Sequence, residues 1–323
     1  MSDTLKAPFP WFGGKSRVSH LVWARFGDVA NYVEPFFGSG AVLLGRPDAP
    51  GTETVNDADC YLANFWRAIS LDPDEVAKWT DWPVNEADLE SRHRWLVNTG
   101  KARIEGIKAD PDFYDAQVAG WWVWGLCSWI GSGWCTAAGS EWEQLPRLSG
   151  AQGVHRQIPH LGDAGQGVNL KRPFLSNPNG QGIACVTGLA DYFRELRNRL
   201  RRVRVCCGDW TRVLGDSVTF IHGVTGVFLD PPYSHTIRDA TLYATETDCG
   251  GAVREWAIAH GDNRLLRIAL CGYAGEHDMP DSWECVSWKA HGGMAQGTSR
   301  AKGNAHKQRI WFSPHCLKDD LFS

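Results

Sequence analysis

The stretch Val227 to Tyr233, V-F-L-D-P-P-Y, constrains this chain more than any other. Three apolar residues read as a strand entering a core, and an acid, two prolines and an aromatic ring follow at its end. Consecutive prolines fix φ and remove two N–H donors, so the carbonyls of Asp230 and Pro231 stand rigidly beside the Asp230 carboxylate. Pro232 completes the stiff pair, and Tyr233 is placed to cover a ligand. An ordinary strand exit is the plain alternative. Residue frequencies put a chance D-P-P-Y in a chain of this size at roughly one in a thousand, so the string reads as a site, although four residues do not name a reaction.

Three further runs end in the same way. Asn31-Tyr-Val-Glu-Pro-Phe-Phe-Gly-Ser-Gly-Ala-Val-Leu-Leu reads as strand, Gly-rich turn and helix. Such a turn after a first strand opens a nucleotide-sized crevice in a doubly wound sheet. Gly38-x-Gly40 lacks the third glycine of the dinucleotide fingerprint and is weak by itself. Glu34, at the strand's exit, reads either as an acceptor for an amine or hydroxyl or as a cap. Thr54 to Asp57 reads as a second strand whose terminal acid suits the hydroxyls of a ribose, and Val203 to Cys207 leads into Gly208-Asp209-Trp210. Leu265–Cys271, Trp283–Trp288 and Arg309–Ser313 read as the remaining strands. In an open α/β sheet the first four ends lie along one edge, so one crevice should collect Glu34, Asp57, Asp209 and Asp230. Upstream, P-F-P-W-F-G-G-K places two glycines that admit close backbone approach before a lysine that can meet a carboxylate or phosphate; a plain turn is the alternative.

With 323 residues the chain can hold one large domain, or a core domain with a substantial insert. Its 43% hydrophobic and 22% charged content is that of a soluble globular protein, and no apolar run approaches the roughly 20 residues of a membrane span. No signal segment opens it, so a cytoplasmic location is expected. Ten cysteines are scattered without a C-x-x-C pair and read as reduced thiols, not as disulfides or a zinc site. The 33 basic and 37 acidic residues give −4, but Cys285 to Lys318 contains no acid while carrying Lys289, Arg300, Lys302, Lys307 and Arg309, which implies a one-sided basic face.

Between the second and third strand-like runs the composition changes. Asp72 to Asp115 is polar and net acidic and reads as helices of an inserted lobe. Trp121 to Cys135 is a dense aromatic run, open to core packing or base stacking. Gln144 to Ile183 has seven glycines, four prolines and a single acid, and is too long for a structureless loop, so it reads as a hairpin and loops that order against a partner. Arg147, Arg156, Lys171 and Arg172, with His155 and His160, supply donors for phosphates or base edges. Leu189 to Leu200 returns to a helical stripe, with Leu189, Phe193, Leu196 and Leu200 on one side and arginines around it.

The order W-x-G-G-K, V-E-P-F-x-G-x-G, an isolated acid, G-D-W and D-P-P-Y resembles the Dam-type DNA adenine methyltransferases of the alpha class. The resemblance is firmest over residues 8–71, 186–233 and 265–273. It implies an α/β fold with a Rossmann-like, doubly wound, mostly parallel sheet and an antiparallel C-terminal strand. It further implies a catalytic domain from residues 1–71 and 186–323 and an inserted target-recognition subdomain at 72–185. S-adenosylmethionine would be the cofactor and double-stranded DNA the partner, with no metal, in a bacterial cell or a phage-infected host. Trp11, Gly13, Gly14 and Lys15 would help hold the cofactor; Glu34, Pro35, Phe36, Gly38 and Gly40 would wrap its methionine part. Asp57 would bind its ribose, and Asp209 with Trp210 its adenine. Asp230, Pro231, Pro232 and Tyr233 would be the catalytic motif, and Arg147, Arg156, Lys171, Arg172, Arg300, Lys302 and Lys307 would contact DNA. The family usually carries an acid just before the apolar residues of its final strand, where this chain has Gln308 and Arg309.

The residues suit that chemistry. The exocyclic amine of adenine is a weak nucleophile because its lone pair is delocalised into the ring. If the Asp230 carboxylate and the Pro231 carbonyl accept its two hydrogens, the lone pair is freed and the developing positive charge stabilised. Tyr233 would stack on a base flipped out of the duplex. Transfer to the N4 amine of cytosine is the first competing reading, a DNA-binding protein that has kept the fold without the chemistry the second, and a methyltransferase of RNA or protein the third.

Overall fold

The computed structural model describes residues 5–9, 11, 14–47, 51–110, 112–128, 134–135, 188–233, 249–288 and 308–318. Seven strands form one sheet: β1 (Asn31–Glu34), β2 (Thr52–Asp57), β3 (Val203–Cys207), β4 (Thr225–Leu229), β5 (Leu266–Tyr273), β6 (Glu284–Ser287) and β7 (Gln308–Phe312). Their spatial order is β3-β2-β1-β4-β5-β7-β6. β3, β2, β1, β4 and β5 pair in parallel, whereas β7 runs antiparallel to both β5 and β6. The winding reverses between β1 and β4, which is where open α/β sheets leave a crevice at the carboxyl ends of their strands.

A sheet covered on both faces needs apolar residues on both, and the central strands supply them. All five residues of β4 are buried. Successive side chains point to opposite faces, so Phe228 joins one core while Val227 and Leu229 join the other; Ala269 and Cys271 of β5 divide from Ile268 and Leu270 in the same way.

The helices in chain order are α1 (Ser19–Phe26), α2 (Ala41–Leu44), α3 (Cys60–Leu71), α4 (Pro73–Thr80), α5 (Glu86–Trp95), the short α6 (Lys101–Arg103), α7 (Ala116–Ser128), α8 (Leu189–Leu200) and α9 (Gly250–His260). α1, α3, α7 and α8 share the larger core, and α9 packs Val253 and Ala257 into the smaller one. α8 buries Tyr192, Phe193, Leu196 and Leu200, and its Arg199 reaches buried Glu53 of β2 at 2.6 Å, which Arg46 also pairs at 3.2 Å. The arginine-rich helix is thus a packed element whose Arg194 pairs with Asp74 at the surface.

The segment after α3 is stitched back onto it. Asn64 donates to the Asp115 carbonyl and accepts from the Asp115 N–H, both at 2.9 Å, and Arg67 donates to the carbonyls of Ile107 and Phe113. In α7, Trp122 and Trp124 are buried, and Trp122 packs against Phe9, Trp11, Tyr61 and Phe65. The described part of the aromatic run is therefore core, and that core is continuous with the sheet's. Arg92 of α5 lies between the rings of Trp82, Trp121 and Trp124. The nine described cysteines are free thiols. No helix among the described residues is long and apolar enough to cross a membrane.

Candidate active site

The carboxyl ends of β3, β2, β1 and β4 lie side by side, which brings Asp209, Asp57, Glu34 and Asp230 to one edge of the sheet. The turn from β1 into α2 sets the middle of this edge. Gly38 (φ +49°) and Gly40 (φ +70°) lie in the left-handed region that side chains disfavour. Trp11 covers Gly38 so closely that a Cβ there would strike the indole. Gly38 also donates its N–H to Asp57 Oδ2 at 3.1 Å.

Asn56, beside Asp57, ties three loops together. Its Nδ2 donates to the carbonyls of Pro35 (3.1 Å) and Gly208 (3.0 Å), while its backbone carbonyl accepts from the Phe37 N–H. The Asp57 carbonyl accepts from Gly208. The Gly-rich turn and the turn after β3 are thus held by backbone and amide bonds from one strand end. Burial raises the Asp57 carboxyl above its ordinary range, against the opposing N–H groups of Asp59 and Gly38. Asp59 is pushed up to about 7, first by burial and then by the Asp57 charge.

At the β3 end, Asp209 is exposed and accepts from the Thr211 hydroxyl and, at 2.9 Å, from the Thr211 N–H, which together lower its carboxyl. Next to it, Trp210 stacks with Phe36 at 6.3 Å between centroids and 29° between planes. Two aromatic faces therefore flank the gap between the β1 and β3 turns.

The other wall is built on β4. Asp230 Oδ2 accepts from Lys15 Nζ at 2.7 Å, and Lys15 is only 4% exposed. Lys15 also donates to the Tyr233 hydroxyl at 3.3 Å and lies over the rings of Tyr233 (5.5 Å) and Trp288 (5.7 Å). The Tyr233 hydroxyl has Asp230 Oδ1 at 3.2 Å and Gln308 Oε1 at 3.0 Å. Behind them, Glu34 is 2% exposed and accepts from the Tyr32 hydroxyl at 2.9 Å. Burial holds the Glu34 carboxyl well above the usual range, with Tyr32 opposing and Asp230 adding to the rise.

Two positions make contacts that the expectation did not include. Lys15, grouped with the cofactor residues, is bound to the carboxylate of the proline motif, which gives the buried ammonium a counter-charge. Tyr233, expected to stack on a base, is 4% exposed, with its ring edge-on to Tyr273 at 4.6 Å. Stacking requires that ring to be uncovered. Pro231 is buried and Pro232 half-buried beside them. Gly14 donates to the Trp11 carbonyl and carries the chain into Lys15. Gly13, Arg147, Arg156, Lys171, Arg172, Arg300, Lys302 and Lys307 lie outside the described residues.

Sequence reasoning did not find the neighbours Asn56, Trp288 and Tyr273, nor the contact that Gln308 makes. Asn56 carried a signal in its place next to the strand-end acid. Tyr273, Trp288 and Gln308 come from β5, the end of β6 and β7, and only the antiparallel register brings them in.

A seven-stranded sheet wound both ways from β1 and β4, a Gly-rich first turn and an acid-proline motif at the switch point make a Rossmann-like α/β fold, consistent with that of methyltransferases. Residues 11–97, about a quarter of the chain, match the family model of the D12 class N6 adenine-specific DNA methyltransferases, in line with the Dam-type resemblance. Among curated proteins no match was found.

Proposed function

We propose that this protein transfers a methyl group from S-adenosylmethionine to the N6 amine of an adenine flipped out of double-stranded DNA. The observation that carries this reading is the Asp230 carboxylate at the end of β4, one strand from the Gly38–Gly40 turn at the switch point. The residues present suit the cofactor. Asp57 and Asp209 offer acceptors for hydroxyls or an amine, Phe36 and Trp210 offer faces to a flat ring, and the buried Asn56 Oδ1 has no partner among the described residues. Glu34, Pro35, Gly38 and Gly40, all buried, make the β1 turn between the two walls, and Trp11 covers Gly38. Bound there, S-adenosylmethionine supplies the methyl group as a sulfonium.

The chain's own part is to present the nucleophile. Asp230 and the Pro231 carbonyl accept the amine's hydrogens and so direct its lone pair, and the Asp230 carboxylate stabilises the positive charge that grows on nitrogen. Lys15 holds that carboxylate in place at 2.7 Å. Tyr233 packs beside the base once its ring is uncovered. Residues 1–71 and 186–323 carry the chemistry, while 72–185 read the target; with 72–128 packed into the core, Arg147, Arg156, Lys171 and Arg172 are assigned to DNA.

The test is incubation with labelled S-adenosylmethionine and duplex DNA, followed by identification of the modified nucleoside. N6-methyladenine from the natural protein and none from Asp230→Ala, with cofactor binding kept within a few-fold, is the expected result. N4-methylcytosine would transfer the reading to cytosine, and activity retained in Asp230→Ala would remove the proposed role of the motif.

A further inference from the structure

Gln308 opens β7 opposite Tyr273 of β5 and is 4% exposed. Its Oε1 lies 3.0 Å from the Tyr233 hydroxyl, which also lies 3.2 Å from Asp230 Oδ1 and 3.3 Å from Lys15 Nζ. A tyrosine hydroxyl has one hydrogen to give and two lone pairs to offer. Lys15 is a donor only and takes a lone pair. The single hydrogen is then contested, among the described residues, by the Gln308 amide oxygen and the Asp230 carboxylate.

The choice matters at Asp230. Its Oδ2 already accepts from Lys15 at 2.7 Å. If Tyr233 donated to Oδ1 as well, both oxygens would be engaged and part of the carboxylate charge neutralised before a substrate amine arrived. A second acceptor within reach of the hydroxyl, Gln308 Oε1 at 3.0 Å, relieves this. The neutral amide does so without adding another carboxylate to a site that already holds buried Glu34 beside Asp230.

We propose that Gln308 is a positioning residue that draws the Tyr233 hydroxyl hydrogen away from Asp230, so that Oδ1 stays open to the amine of the target base. The inference rests on the methyltransferase reading above. It makes Gln308 act only through Tyr233, which separates it from a residue that merely fills β7.

The experiment compares steady-state methylation of duplex DNA by the natural protein, Gln308→Leu, Tyr233→Phe and the double variant. Gln308→Leu should lower kcat about tenfold, the scale of one hydrogen bond to a charged group, with KM for DNA and cofactor within about twofold. In the Tyr233→Phe background, where no hydroxyl hydrogen exists, Gln308→Leu should change kcat by less than about twofold. An equal loss in both backgrounds, or a change confined to KM, overturns the proposal. A second readout needs no turnover: in ligand-free protein labelled with 13Cζ-tyrosine, the Tyr233 resonance, assigned with Tyr233→Phe, should move downfield in Gln308→Leu. The move should vanish when Asp230→Asn is added. An unmoved resonance in a protein that still methylates overturns the hydrogen-bond assignment, whereas a natural protein that makes no methylated base overturns the functional reading and the catalytic role with it, even if the resonance moves.

Discussion

Asp59 caps α3 by accepting the Tyr61 N–H at 2.8 Å, and its own N–H donates to Asp57 at 3.0 Å, so two carboxyls share one half-buried corner. Burial and the Asp57 charge bring Asp59 to about 7 in the folded chain, against about 4 for an ordinary aspartate. The folded state then binds more protons than the unfolded state between about pH 4 and 7, so Asp59 reduces stability as pH rises through that window and no further above it. Asn is an equally good cap and does not titrate. Asp59→Asn should therefore unfold at higher urea concentration at pH 8, by about 1–2 kcal/mol once its partial exposure is allowed for, and show no such gain at pH 4. Equal gains at both pH values would mean that the corner does not hold a strained charge. The same corner explains why Asp57 was legible in the sequence and Asp59 was not: the first closes a short strand-like run, while the second is a cap whose environment depends on how α3 meets the sheet.

At the level of elements, the turn between β1 and α2 is where local and long-range demands meet. Gly38 needs a positive φ, gives its N–H to Asp57, receives Trp66 Nε1 on its carbonyl and lies against Trp11. Gly38→Ala should cost roughly 1–2 kcal/mol from backbone strain alone, with a further loss as Trp11 is displaced, and should weaken cofactor binding measured by calorimetry. Combining it with Trp11→Ala should recover part of the stability but not the strain. Full recovery would show that φ is not what requires glycine. The strand ends could be read in advance because a strand's apolar run and its terminal acid are adjacent in sequence. The catalytic wall could be read only in part. Lys15 and Asp230 are 215 residues apart, and nothing in the spacing of either pairs them. Gln308 was visible as a departure from a family pattern, but its partner Tyr233 follows from the register of β7 on β5.

Across the whole molecule, charge is divided by task. Among the described residues, the edge of the sheet gathers the carboxyls of Glu34, Asp57, Asp59, Asp209 and Asp230, with the buried ammonium of Lys15 on Asp230. Such an edge favours a cationic cofactor and an amine, and it repels a phosphate backbone. A DNA substrate therefore requires cations around the crevice, and the net charge of −4 does not provide them on average. The acid-free run from Cys285 to Lys318 includes β7, whose first residue touches Tyr233, so Lys307 and Arg309 flank that residue in sequence. We therefore expect Arg300, Lys302 and Lys307 to contact phosphates. Replacing all three with glutamine should weaken binding to duplex DNA of any sequence and flatten the dependence of log affinity on log salt by about 0.9 per lost contact. Cofactor affinity should stay unchanged in the same protein. Titrations at several salt concentrations check this, and an unchanged slope would place these side chains in solvent and leave the phosphate contacts to Arg147, Arg156, Lys171 and Arg172.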